Sequence, residues 1–448
     1  MDLAVHRIPP GVFATIAEGQ GGADAARRLV AAQHSKHTLL IRQVVESACA
    51  AAHKEATEAR HAYDVLAAIQ DRAPEAVSAV LDHPPVGSWA RHTIRMLRDP
   101  ETRVKAVPAQ LAALAAAAAI HARTTCSIEV PVIDEGVMLP SLGKVLVPIH
   151  ETGRRLSLEI TDGEAEINGQ DWSIRLSQPL SVDQPGWHAL RSLSATAEER
   201  TLQILVEDLD SYRMPGSANI GARLSAAESD YWEVMLGGAL DLLARHHSHV
   251  ADELTIMVRA FTPLTPPSSG QVSATSRETF GSIALSFPPD ACSLAATIAH
   301  EIQHAKLSAL LDVVSLTLPD DGARYYAPWR DDPRPVSGLI QGAYAFLGVA
   351  AFWRRQRHLE SGAAAVSAHA EFVRWRCAVE LVVDTLTASG RLTDPGQAFV
   401  AGMRRTLGSW AEDQVPASAV TLAIRAAAEH RALWYRRHGE IQRFEASS

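Results

Sequence analysis

The stretch Leu294–Leu316, LAATIAHEIQHAKLSALLDVVSL, sets His300, Glu301 and His304 inside a long run of helical apolar periodicity. Residues four apart lie on one face of a helix, so both imidazoles can reach a single metal ion while Glu301 stands beside them. This is the HExxH arrangement. Neutral imidazole is a good ligand for zinc and for ferrous iron, and a helix holds two of them at a separation that a loop would not keep. The adjacent carboxylate can serve as general base to a water that the metal activates, or it can orient a ligand or water from behind. The competing reading is two solvated histidines on an ordinary helix. Context weighs against it: Thr255–Phe261 (TIMVRAF) and Gly281–Phe287 (GSIALSF) read as strands, and Pro288, Pro289 and Asp290 punctuate before a helix that begins near Ser293. A strand leading directly into a metal-bearing helix is how metallopeptidases set substrate backbone beside the metal.

Working outward, 448 residues are enough for two or three domains and a sizeable core. A net charge of -9 provides no global basic field for nucleic acid. The longest apolar run, Leu111–Ile120, is too short to span a bilayer and is almost all alanine, so no membrane segment is expected. The N-terminus lacks a charged region followed by an apolar one, which makes the cytoplasm the expected location. The cysteines, Cys49, Cys126, Cys292 and Cys377, form no CxxC pair; reduced, mostly buried thiols are expected and a zinc knuckle is excluded.

Residues 1–125 read as a helical domain, with helices over 22–52, 55–70, 74–82, 87–97 and 107–122 broken by Pro84, Pro85, Pro100 and Pro108. Its histidines, His34, His37, His53 and His61, suit solvated faces or satisfied polar contacts better than a metal. Residues 126–215 change character. Short alternating β-branched runs (SIEVPVI, VLVPI, LSLEI, WSIRL, LQILVED) predict a small, largely antiparallel β unit, with Asn168-Gly169 as a hairpin turn and Trp172 and Trp187 as packing residues. Residues 216–448 read as a mainly helical metal domain. Its first helix closes on His246, His247 and His249, which suit the negative end of the helix dipole. Thr262–Gly270 (TPLTPPSSG) reads as a loop and a candidate lid.

Beyond the metal helix lies YYAPWRDDPRP, Tyr325–Pro335, in which prolines and acids can hold Arg330 and Arg334 as donors for a carboxylate. It runs into a helix over Val336–Arg355.

Three segments together, HEIQHAKLSALLDVV, YYAPWRDDPRPVSGLIQGAYAFLGVAAFWR and FVRWRCAVELVVDTLTASGRLTDPGQAFVAGM, resemble the 2-oxoglutarate-HExxH-type peptide β-hydroxylases of ribosomal-peptide clusters, neighbours of FxsB-type radical-SAM maturases. The resemblance covers about residues 200 to 415, and the APWR plus QGxYAF pairing is more specific than HExxH alone. It implies an iron(II)- and 2-oxoglutarate-dependent enzyme acting on a precursor peptide, with His300 and His304 as iron ligands and Glu301 as the motif glutamate. Arg330 or Arg334 as anchor for the 2-oxoglutarate carboxylate is a chemical expectation added to it. Many relatives carry a histidine in the segment that here reads Gln341–Phe346, so a third ligand is not transferred. Iron oxygenases typically use three protein ligands with open positions. Glu380, which forms an ExxxD pattern with Asp384, is the first candidate here, and Gln341, Asp331 and Asp332 are the others.

An α+β protein is therefore expected, and its leading function is a hydroxylase of side-chain β-carbons in a ribosomally made peptide, with a radical-SAM maturase as a further partner. The alternatives are a zinc metallopeptidase with Glu301 as general base, and a non-catalytic peptide-binding protein with a degenerate site.

Overall fold

The computed structural model describes residues 5–268 and 270–439. The chain opens with α1 (Pro10–Ala17) and α2 (Gly22–Ala50), followed by α3 (Ala56–Gln70), α4 (Pro74–Leu81), α5 (Pro84–Arg98) and α6 (Leu111–His121). Prolines begin α1, α4 and α5, where the missing amide has no helical partner to lose. All of Leu111–Ile120 is buried, and its alanines let neighbouring elements pack close around α6. Two helical stretches, Arg103–His121 and Val336–Gln356, are long and apolar enough to cross a membrane by composition; here they are 72% and 67% buried, so that apolarity faces protein.

Next come β1 (Cys126–Pro131), β2 (Gly136–Leu139), β3 (Gly143–Leu146), β4 (Arg155–Thr161), β5 (Glu164–Asn168), β6 (Ser173–Leu176), β7 (Trp187–Ala189), β8 (Arg191–Ala197) and β9 (Arg200–Val206). Strands β1-β4-β5-β6 form one antiparallel sheet and β2-β3-β7 another. The expected hairpin at Asn168-Gly169 joins β5 to β6, with the Gly169 N–H donating to the Trp172 carbonyl at 2.9 Å. Trp187 is fully buried and donates from Nε1 to the Leu180 carbonyl, while Trp172 donates to Glu151, so both are packing residues.

The remaining elements are α7 (Ala226–His246), α8 (Ser248–Met257), β10 (Ala260–Pro263), β11 (Ser273–Ala274), β12 (Ser282–Leu285), α9 (Ala291–Leu310), α10 (Val336–Gln356), α11 (Gly362–Ala388), α12 (Asp394–Ser409) and α13 (Ala417–His438). The molecule is α+β with a helical majority. The β8–β9 hairpin leaves the antiparallel unit and joins a five-stranded sheet, β11-β12-β10-β9-β8, in which β10 runs parallel to both β9 and β12. One side of that sheet (Leu202, Ile204, Phe261, Ile283) shares a core with Trp232 and Leu240 of α7 and with Leu294, Ile298 and Ile302 of α9. A second core joins Ile16 and Leu29 to Leu307, Tyr344 and Phe399, and a third runs from Ile41 to Ala189 through helices and sheets alike.

Several expectations are corrected. Thr255–Met257 belong to α8 rather than to a strand: α8 buries Val250, Ala251, Leu254 and Met257 at helical spacing, and pairing starts only where the Arg259 N–H meets the Gly281 carbonyl. The stretch Thr262–Gly270 is not all loop. Its start lies in β10, and the Leu264 and Thr265 amides donate to the Leu285 and Asn219 carbonyls; Ser269 lies outside the described residues. The cysteines are free, but Cys49 and Cys377 are exposed and the other two half-buried.

Candidate metal centre

The Asp290 side chain accepts from the Ser293 amide at 2.7 Å and so starts α9 at Ala291, satisfying a first-turn N–H that has no helical partner. Three turns on, the His300 and His304 rings stand 4.8 Å apart between centroids and nearly perpendicular, at 82°. Burial, and secondarily the His304 imidazole, hold the His300 pKa well below the ordinary histidine value, so His300 is neutral at pH 7. A neutral imidazole is the form that donates to a metal.

Glu301 is 1% exposed, and its Oε1 lies 4.0 Å from His300 Nε2. Strand β11 passes beside it, and the Ser273 hydroxyl donates to Glu301 Oε1 at 2.6 Å. Burial raises the Glu301 pKa, against the opposing effects of His304, Ser273 and Thr275. The other oxygen, Oε2, is buried without a partner. Ser273 and Thr275 were missed by sequence reasoning. Two hydroxyl residues at strand spacing put their side chains on one face, and that alternation was the available signal.

Helix α10 forms the opposite wall. Gln341 Oε1 lies 3.3 Å from His304 Nδ1, so Nδ1–H donates to the amide oxygen and Nε2 is left as the donor atom. The Phe346 ring packs edge-on against His300 with centroids 4.8 Å apart. Trp329 stacks on Phe346 at 4.9 Å and Trp375 of α11 packs against it at 4.2 Å, completing an aromatic wall. Two glycines permit this. A Cβ at Gly348 would come within 2.5 Å of Gln303 Cγ on α9, and one at Gly342 within 2.3 Å of Trp329 Nε1. Tyr344 is fully buried and donates to the Ile16 carbonyl at 2.7 Å.

The other expected site residues are elsewhere engaged. Glu380 does not reach the histidines: it faces Arg376 of its own helix at 3.6 Å, and Asp384 pairs with Arg404 at 2.8 Å. Asp331 pairs with Arg437 at 2.7 Å. Asp332 takes both arginines of the loop, Arg330 at 2.8 Å and Arg334 at 2.9 Å. Among the described residues no group of three or more His, Cys, Asp and Glu side chains is assembled to hold a metal, so neither Glu380, Asp331 nor Asp332 completes the histidine pair. Gln341 is the one expected candidate that touches it, through Nδ1 of His304.

These residues fit a divalent transition metal as a two-imidazole site whose neighbouring carboxylate is Glu301, with one orphaned oxygen. They do not fit the expected 2-oxoglutarate anchor, because both loop arginines already hold a carboxylate and are 53% and 37% exposed. Compared with models of known protein families and with curated proteins, the chain matches none.

Proposed function

We propose that this chain is a metal-dependent enzyme acting on peptides, and within that class a non-haem iron(II)- and 2-oxoglutarate-dependent hydroxylase of side-chain β-carbons in a ribosomally made precursor peptide. The observation that carries the reading is the packing of QGAYAF and APWR, the segments of the resemblance, on the imidazole pair through Gln341, Phe346 and Trp329. A bound metal would supply the electrophilic centre that chemistry on an unactivated C–H bond requires. The chain's own part is positional. His300 and His304 hold the metal, Gln341 orients His304, and Phe346 and Trp329 keep water from one side and offer an apolar surface to a substrate side chain. The co-substrate requirement rests on the resemblance alone.

A zinc peptidase is the second reading, favoured by one feature: Ser273 holds one oxygen of Glu301 and leaves the other free to take a proton from water. The test is to incubate a candidate precursor peptide with the protein, iron, ascorbate and 2-oxoglutarate and to read the products by mass spectrometry. Gain of one oxygen that depends on 2-oxoglutarate and yields succinate supports the hydroxylase. Cleavage with zinc alone, abolished by Glu301→Gln, replaces it with the peptidase. An unmodified but bound peptide under both conditions leaves a binding protein.

A further inference from the structure

Helices α11 and α13 and the turn at Tyr326–Pro328 line an open cavity of about 130 Å³ that shares only Trp375 with the candidate metal centre. At roughly 30 Å³ per water it holds about four waters, the size of a branched aliphatic side chain. Its lining is divided in character. Val373, Leu381 and Ala423 supply an apolar floor with Ile424 exposed at its rim, and Arg374 and Arg431 supply two cations.

Both guanidiniums are propped on aromatic faces, Arg374 at 4.4 Å from the Trp375 ring centre and Arg431 at 5.6 Å from that of Tyr326. Arg374 has only a long ion pair with an acid of its own helix, and Arg431 has none among the described residues. The nearest acid to Arg374 is Glu371 at 4.0 Å, beyond hydrogen-bond reach, and Glu371 accepts instead from Trp375 Nε1 at 2.6 Å. No ion pair of Arg431 lies among the described residues near the cavity. Asp331, the acid that faces neighbouring His430, is paired with Arg437 at 2.7 Å. His430 adds no positive charge at pH 7, since burial holds its pKa below the ordinary value, and it is engaged with the Tyr326 hydroxyl at 2.9 Å.

We propose that this cavity binds a carboxylate carried on a small aliphatic group, with the arginines taking the charge and the floor taking the hydrocarbon. The C-terminal residue of a peptide and a free aliphatic acid share that chemistry. Trp375 lines the cavity and also packs on Phe346, whose ring lies against His300, so a ligand seated there braces the aromatic wall of the metal centre.

The experiment is isothermal titration of the full chain, without metal, using N-acetyl-leucine, N-acetyl-leucinamide and a tetrapeptide ending in leucine. The acid is expected to bind and the amide, which lacks the charge, to bind about tenfold more weakly or worse, as is Arg431→Gln toward the acid. Ala427→Phe, which fills the cavity, is expected to abolish binding, with thermal melting of each variant confirming that it is folded. A tetrapeptide about tenfold tighter than the single residue identifies a peptide terminus, and equal affinities identify a free acid; either supports the site. No binding of either acid at millimolar concentration, equal binding of acid and amide, or an Arg431→Gln variant that binds like the wild type overturns it. None of these results depends on the metal-centre reading.

Discussion

At the residue scale, His300 and His304 could serve a metal only as uncharged donors, and the burial that depresses the His300 pKa keeps His300 in that form. The His300→Ala/His304→Ala double variant should stay folded and lose stoichiometric metal after reconstitution and dialysis; full occupancy by elemental analysis would remove the site assignment. Gln341→Leu takes away the oxygen that orients His304, so metal affinity should fall about 10–100-fold in a chelator competition. The arginines behave differently. Arg330 and Arg334 are surface partners of one aspartate, so Arg330→Ala and Arg334→Ala should each leave folding stability within about 1 kcal/mol. A sharply raised 2-oxoglutarate requirement in either variant would show that the co-substrate displaces Asp332.

At the scale of elements, the site depends on how closely α10 lies against α9 and against the loop that carries Trp329. Gly342→Ala puts a methyl 2.3 Å from the Trp329 indole nitrogen, and a packed interior accommodates that only by displacing the ring. Destabilisation of about 1–3 kcal/mol is expected, with a change in tryptophan fluorescence; unchanged emission and melting would mean the loop yields freely. Lys306, on the same helix as the histidines, is fully buried against Glu253 at 2.8 Å. Lys306→Met keeps the hydrocarbon length and strands the Glu253 charge, so about 3–5 kcal/mol should be lost in urea denaturation. The helices themselves were readable. Ends of α2, α3 and α4 fall within about two residues of their expected places, because apolar spacing, Pro74 and Pro84 act locally. Strand β10 was misplaced because the tail of α8, TIM, is β-branched and apolar in text yet follows the helix's buried stripe in space.

At the scale of the whole molecule, the first helices are fastened to α9 and the turn after it rather than standing apart. Gln303 Nε2 donates to the Gly19 carbonyl at 2.7 Å, Lys306 to the Gln20 carbonyl at 3.0 Å, and Lys36 and Gln33 of α2 both hold Asp312 at 2.8 Å. Acid acts on the fold through a different set of groups, buried histidines that must stay neutral. Burial lowers His37 and His247 from 6.5 to about 4, so between these values the unfolded chain binds more protons than the folded one. Their contribution to stability is therefore complete above about pH 6.5 and is lost as the pH falls toward 4, by up to about 3 kcal/mol per histidine. Urea midpoints at pH 7 and pH 5 check this. His37→Gln should flatten part of the difference, and an identical slope in that variant would assign the acid sensitivity elsewhere.

The sequence by itself determined the HExxH helix, the pairing of His300 with His304 and the presence of Glu301 beside them, because four residues of helix set that geometry without help from the rest of the chain. It also determined that a β-rich middle follows a helical start, since periods of 3.6 and 2 are local properties. Only the tertiary structure decided which groups approach the imidazoles. Gln341 and Phe346 arrive from a helix that begins 32 residues after His304, Ser273 arrives from a short edge strand, and Glu380 is turned to Arg376 instead. The β8–β9 hairpin likewise found its partner across α7 and α8 in β10, which in turn pairs with β12. Register and side-chain encounter between distant segments depend on the packing of the whole core, and no spacing within one segment encodes them.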